Sequence, residues 1–202
     1  MPIEETWLVD VVGNGIARLK KRELALDIGA NKGDWAEEMA FAFDDVIAVE
    51  PDERNPLSAR MGRLGNVTVV WAAAWKSDGF VTLHVRPSPD QNSLLETHPI
   101  GAGACEPAPV IEQRLVACRT LDSIAPNGAD MVKIDVEGTE ADILAACSRD
   151  GRWSGTLFVV ECHDTLQAVK SELESLGKTV TVVRHPSVTA HPGHCWAIGT
   201  SP

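Results

Sequence analysis

Short apolar runs alternate with segments of helical spacing along most of the chain. Leu24 to Ile28 is an apolar run broken only by Asp27 and closed by Gly29, and Asp34 to Phe43 then has helical character. Val46 to Val49 forms the next run, ending in Glu50 and Pro51, before a helical stretch from Asn55 to Leu64 and a further run from Val67 to Trp71. A strand buried on both faces of a parallel sheet reads as nearly continuous apolar sequence rather than as strict alternation. The rhythm therefore predicts a parallel sheet covered by helices on both faces.

From Asp78 and Gly79 the pattern changes. Phe80 to Val85 and Val110 to Val116 read as strands joined by a Pro-, Gly- and Ser-rich stretch, which predicts an antiparallel insertion over residues 78–118. The connection from Pro87 to Pro109 is long for a compact domain and is expected to act as a lid over an acceptor. The earlier rhythm then resumes with strand Met131 to Val136, helix Glu140 to Cys147, strand Thr156 to Cys162 and helix Leu166 to Leu176. Thr179 to Arg184 and Cys195 to Gly199 suit a terminal hairpin. At the other end, apolar residues between Trp7 and Lys21 suggest a helical cap over residues 1–22, interrupted near Gly13 and Gly15. The expected architecture is one α/β domain over residues 1–202, with a doubly wound, mostly parallel seven-stranded sheet of Rossmann-like type.

Charge and cysteine usage narrow the function classes. The net charge of −11 repels a phosphate backbone or an anionic membrane, so neither nucleic acid nor membrane is an expected partner. The five cysteines are scattered and never form a Cys-x-x-Cys pair, so neither a zinc site nor a disulfide scaffold is predicted. Glu4 and Glu5 near the start and the absence of a long apolar run speak against a secretory signal or a membrane span, and a cytoplasmic protein is expected.

The candidate chemistry lies at the ends of the strands. Asp27-Ile28-Gly29-Ala30-Asn31-Lys32-Gly33 runs from a strand through two glycines into a helix, where exposed amides and close backbone approach suit a ligand. Its spacing differs from the three-glycine dinucleotide fingerprint, which disfavours a nicotinamide cofactor. Glu50 closes the next strand, where an acidic side chain accepts hydrogen bonds from both ribose hydroxyls of an adenosine. Asp135 ends a third strand, predicted to neighbour the first, and Glu161 and His163 end a fourth. Lys133 is anomalous on a central strand, because a buried charge needs a partner. Its expected partners are Asp135, Glu137 or Glu161, with a lysine that snorkels past the strand edge as the alternative.

Leu26 to Gly33, Glu50-Pro51, Thr120-Leu121-Asp122, Val132 to Glu140 and Glu161-Cys162-His163, taken together and in this order, resemble the successive signatures of the FkbM-like methyltransferases. The resemblance covers roughly residues 24–165 and implies a class I methyltransferase fold with S-adenosylmethionine as cofactor. It also implies methyl transfer to a hydroxyl of a small metabolite or sugar. Carried over by position, Asp27, Gly29, Asn31 and Gly33 hold the methionine part, Glu50 the ribose, and Ala73 lies near the adenine, with Ala30 and Pro51 also among the cofactor-binding residues. Asp135 lies beside the amino group or reacting methyl, and Asn92 and Ser93 lie close to cofactor or acceptor. Trp71, Trp75 and Lys76 in the adenine region depart from the usual pattern.

Methyl transfer is an in-line displacement that needs alignment and removal of the acceptor proton. The catalytic set read from the sequence is His163 as base with Asp135 and Glu161 beside it, since an imidazole titrates near neutral pH. No metal is required by this reading. Asp135, Glu137, Glu161 and His163 offer an alternative ligand set for Mg²⁺ or another divalent ion. The remaining histidines, His84, His98, His185, His191 and His194, are expected at the surface or in the lid. Two competing readings are a non-catalytic module that binds S-adenosylmethionine or an adenosine nucleotide, and an N-methyltransferase.

Overall fold

A computed structural model of the chain describes residues 6–97, 108–184 and 194–202. Helix α1 (Thr6–Ala17) precedes strand β1 (Leu24–Ile28), helix α2 (Asp34–Ala40), strand β2 (Asp45–Val49), helix α3 (Leu57–Met61) and strand β3 (Val67–Val70). Strands β4 (Ala73–Ala74), β5 (Gly79–Val85) and β6 (Glu112–Arg119) come next, then helix α4 (Leu121–Ile124) and strand β7 (Met131–Ile134). Helix α5 (Glu140–Ala145), strand β8 (Leu157–His163), helix α6 (Leu166–Ser175) and strands β9 (Thr179–Arg184) and β10 (His194–Thr200) complete the order.

The main sheet runs β3-β2-β1-β7-β8-β10-β9. The first five of these strands are parallel, and β10 runs antiparallel to both β8 and β9. This is the doubly wound, mostly parallel seven-stranded sheet expected from the sequence. Strand order reverses between β1 and β7, and the carboxyl ends of the strands at such a switch point leave a crevice for ligands. A second, three-stranded sheet has the order β4-β6-β5, with β5 and β6 antiparallel and the short β4 parallel to β6.

Alternation along each strand divides the core into two layers. Leu26, Ile28, Val132, Ile134, Phe158 and Val160 pack with Ile143, Leu144, Val169 and Leu173 of α5 and α6. Ala25, Ala48, Met131 and Val159 face the opposite way, onto Val12, Ala36, Met39, Leu57 and Met61 of α1, α2 and α3. Full burial of an aliphatic side chain contributes about 1.5–3 kcal/mol, so both layers add strongly to the stability of the sheet.

Several details differ from the sequence reading. Helix α1 passes through Gly13 and Gly15 without interruption, because Gly15 is where the helix approaches Leu157: a Cβ there would stand 3.0 Å from its side chain. Strand β4 has only two residues, too short to leave a periodic signal. His84, expected at the surface or in the lid, is buried on β5 and bridged to Ser93. His98, His185 and His191, together with residues 98–107 of the expected lid, lie outside the described residues. Among the described residues no helix is long and apolar enough to cross a membrane.

Lys133 neither snorkels nor reaches solvent. It is 2% exposed and stands beside Asp27 in the β1–β7 register, with its ammonium 3.2 Å from Asp27 Oδ1 and 3.4 Å from Asp135 Oδ2. Asp135 was an expected partner, whereas Asp27 was not. Removing one member of such a pair leaves a buried uncompensated charge. The Lys133→Met variant should therefore unfold at lower urea, with about 3–5 kcal/mol lost, and Asp27→Asn added to it should recover part of the loss. Gly128, in the turn before β7, has φ of +83°, and a Cβ there would come within 2.3 Å of the Arg152 carbonyl oxygen. Gly128→Ala should cost about 1–3 kcal/mol in the same urea titration.

Candidate active site

The crevice at the switch point is an open cleft with about 830 Å³ of empty space, part of it continuous with solvent. Its walls follow the order of the strands. On the β2 side stand Val49, Glu50, Pro51, Ala72, Ala73 and Ala74, with Leu83 and Leu94 from the insertion. Gly29 and Asn31 from the β1–α2 turn occupy the middle, and Asp135, Glu137, Thr139, Glu161 and His163 supply the far side from β7, β8 and the turn into α5. One end is thus lined mainly by small and aliphatic side chains, and the other is acidic.

The β1–α2 turn is held by backbone bonds from Gly29 N and Ala30 N to Val49 O, both 3.0 Å, and from Gly33 N to Ala30 O. Gly29 has φ of +74°, and a Cβ on it would lie 1.8 Å from the Asp135 carbonyl oxygen, so only glycine lets the two strand ends approach this closely. Glu50 ties the same turn to β2: its Oε2 accepts from Asn31 N at 2.9 Å and its Oε1 from Asp52 N at 2.8 Å. Burial pushes the Glu50 carboxyl up to about 7, against the pull of those two amides. Each carboxylate oxygen retains a second lone pair for a ligand hydroxyl.

Of the residues singled out in the sequence, Gly29, Asn31, Glu50, Pro51, Ala73, Asn92, Ser93, Asp135, Glu161 and His163 line one cleft. Asp27, Ala30 and Gly33 do not. Asp27 has no exposed surface and lies beneath the crevice, paired to Lys133, while Ala30 and Gly33 shape the turn from behind. Lys133 also donates to Gly29 O at 3.1 Å, so one ammonium fixes the turn, Asp27 and Asp135 together. Burial works against its proton, but Asp27 and Asp135 more than offset this and hold the lysine charged.

His163, expected as the base with Asp135 and Glu161 beside it, is also held by a carboxylate that the sequence reading did not name. Its Nδ1 is 2.8 Å from Oε1 of the fully buried Glu140, and its Nε2 lies 3.4 Å from Glu137 Oε1 and 3.9 Å from Asp135 Oδ1. Burial lowers its proton affinity, yet the bond to Glu140 and the charges of Glu137, Glu140 and Asp135 overcome this and raise the ring to about 10. The ring is therefore an imidazolium at neutral pH. Glu137 moves toward neutrality: burial raises it, His163 opposes and nearby Asp135 and Glu140 add, leaving it at about 7. Its backbone is left-handed, φ +59°, an arrangement that non-glycine residues adopt at a cost and that gathers at functional sites.

The sequence reading missed the groups that hold these side chains in place. Glu140 also accepts from Gly138 N and from Thr165 Oγ1, both 2.8 Å, and so joins β7, β8 and α6; its position in the Gly138-Thr139-Glu140 segment was the available signal. Asp52, two residues beyond Glu50, is fully buried and accepts from Arg54, from Arg114 at 3.2 Å and from Asn92 Nδ2 at 2.7 Å. Ser93 Oγ donates to Glu137 O at 2.8 Å. Arg86, 1% exposed, donates to Gln91 O, Glu96 O and Ala108 O at 3.0–3.1 Å. The described part of the insertion is therefore pinned against the strand ends.

Solved proteins share this architecture. FkbM methyltransferase from Methylobacillus flagellatus KT matches with a TM-score of 0.57 and 17% identity over 88% of this chain and 43% of its own, so the chain spans less than half of that protein. An rRNA methylase from Streptococcus thermophilus matches at 0.54 with 10% identity over 96% of each chain. SMU.1697c from Streptococcus mutans, in complex with SAH, matches at 0.53 with 10% identity over 95% of this chain and 96% of its own. At such identities the likeness is one of fold, that of the class I S-adenosylmethionine-dependent methyltransferases. None of the curated proteins matches the sequence significantly. The strand ends that build the cleft fall within residues 27–180, which match the methyltransferase FkbM domain, and the chain belongs to the FkbM methyltransferase family.

Proposed function

We propose that this chain transfers the methyl group of S-adenosylmethionine to a hydroxyl of a small metabolite or sugar. The observation that carries the reading is the polarity sorted across one cleft, from an aliphatic end beside Glu50 to an acidic end at His163. The residues present fit the cofactor. Ala72, Ala73, Ala74, Leu83 and Leu94 suit an adenine, and Glu50 faces the place of a ribose. Asn31, whose Oδ1 is buried with no hydrogen-bond partner among the described residues, suits the methionine part together with Gly29. Asp135 offers negative charge to the amino group and sulfonium. When bound, the cofactor supplies an electrophilic methyl carbon.

The chain's own groups align the acceptor and take its proton. Asp135, Glu161 and His163 form the wall against which the acceptor hydroxyl is held. His163 is committed to Glu140 and protonated, so it acts in this reading as an orienting cation, and Glu137 receives the proton. Glu137 suits that task because its carboxylate faces the cleft, 28% exposed, on a turn fixed by Ser93. A net charge of −11 favours a small acceptor over nucleic acid.

Calorimetry with S-adenosylmethionine tests the cofactor, and release of S-adenosylhomocysteine with hydroxyl-bearing acceptors tests the reaction. Absence of heat rejects the reading, and turnover on amines alone turns it into N-methylation. Glu50→Ala should weaken cofactor binding by about 1–3 kcal/mol, and unchanged affinity would remove Glu50 from the site. Glu137→Gln should lower kcat by about 10²–10⁴ while cofactor affinity holds, whereas full turnover would discard Glu137 as the proton acceptor.

A further inference from the structure

The acidic end of the cleft holds an arrangement that the methyl-transfer reading leaves unexplained. Five carboxylates, from Asp27, Asp135, Glu137, Glu140 and Glu161, share the strand ends with one lysine and one imidazole. Lys133 engages Asp27 and Oδ2 of Asp135, leaving Asp135 Oδ1 turned toward His163. The His163 ring cannot swing freely. Its Nδ1 is bound to Glu140, which is itself held by Gly138 N and Thr165 Oγ1, so Nε2 is the nitrogen presented to the cleft. A carboxylate on the far nitrogen of a ligating histidine is the usual means of fixing its tautomer and raising its basicity. Without a bound cation Nε2 carries a proton toward Asp135 and Glu137, and a cation that takes that proton's place displaces it as it binds.

One ligand atom each from Asp135, Glu161 and His163 lies within 4.8 Å of the others, near the span of one coordination sphere. Thr139 adds an independent observation. It lines the same cleft and is 1% exposed, and its hydroxyl has no hydrogen-bond partner among the described residues, as expected beside a ligand that supplies one. We propose that Asp135, Glu161 and His163 bind a divalent cation of the Mn²⁺ type, one that accepts carboxylate oxygen and imidazole nitrogen together. Three protein ligands leave positions for water and for the acceptor hydroxyl, whose proton the cation makes easier to remove. The cation site stands on these side chains alone, and only its role in activating the acceptor rests on the methyl-transfer reading.

The probe is Mn²⁺ itself, added to the metal-stripped full chain without cofactor and followed by the loss of the free-ion six-line electron paramagnetic resonance signal. One ion should bind per chain, and Glu161→Gln and His163→Ala should each weaken binding at least tenfold. Circular dichroism would establish that both variants are folded. If His163→Ala does not fold, Glu161→Gln and Asp135→Asn decide the matter. No signal loss with the wild type, or equal binding by the folded variants, overturns the site. Calorimetry of S-adenosylmethionine in the presence of a chelator reads the methyl-transfer proposal separately. Cofactor binding without Mn²⁺ binding rejects only the cation, and Mn²⁺ binding without cofactor binding rejects only the methyl-transfer reading.

Discussion

A single buried ammonium organises the centre of this fold. Lys133 lies on a central strand with no route to water, and it holds Asp27, Asp135 and the Gly29 carbonyl at once. An ion removed from water carries a desolvation penalty of several kcal/mol that is offset only by good geometry and near-complete pairing. The two strands it joins are therefore fixed in register as well as in spacing. The close approach of β1 and β7 that excludes any side chain at Gly29 follows from the same contact.

The constraint reaches the cleft through Asp135. One oxygen is taken by Lys133 and the other faces His163, so the carboxylate is aimed before any ligand arrives. His163 is aimed in turn by Glu140, and the Glu137 turn by Ser93. On the far side, Glu50 binds the β1–α2 turn while Asp52 gathers Arg54, Arg114 and Asn92. The insertion and the sheet thus meet in a small polar network around the cleft mouth. Preorganisation of this kind lowers the ordering cost at binding and at reaction.

Lys133 shows how pairing with carboxylates alters chemistry. In the sequence, a lysine on a buried strand predicts a carboxylate partner, or else a tip that reaches solvent. With Asp27 and Asp135 beside it, the same residue becomes a charged cross-link. His163 follows the same logic: a histidine that would titrate near neutral pH becomes a cation because carboxylates surround it on both ring nitrogens.

Much of the architecture was legible in the sequence. Continuous apolar runs such as those within β2 and β8 announce strands buried on both faces, and their alternation with helical segments announces a parallel sheet, because only that topology hides both faces. The strand-terminal positions of Gly29, Glu50, Asp135 and His163 likewise placed them at one edge, since parallel strands share a direction. What tertiary structure alone decided was which charges meet. Asp27 went below the crevice to Lys133, Glu140 came to His163 from a helix, and Asp52 bound Asn92 across 40 residues of chain. Periodicity records which face a residue occupies. It does not record which distant side chain closes a hydrogen bond, because that depends on the three-dimensional path of the backbone between them.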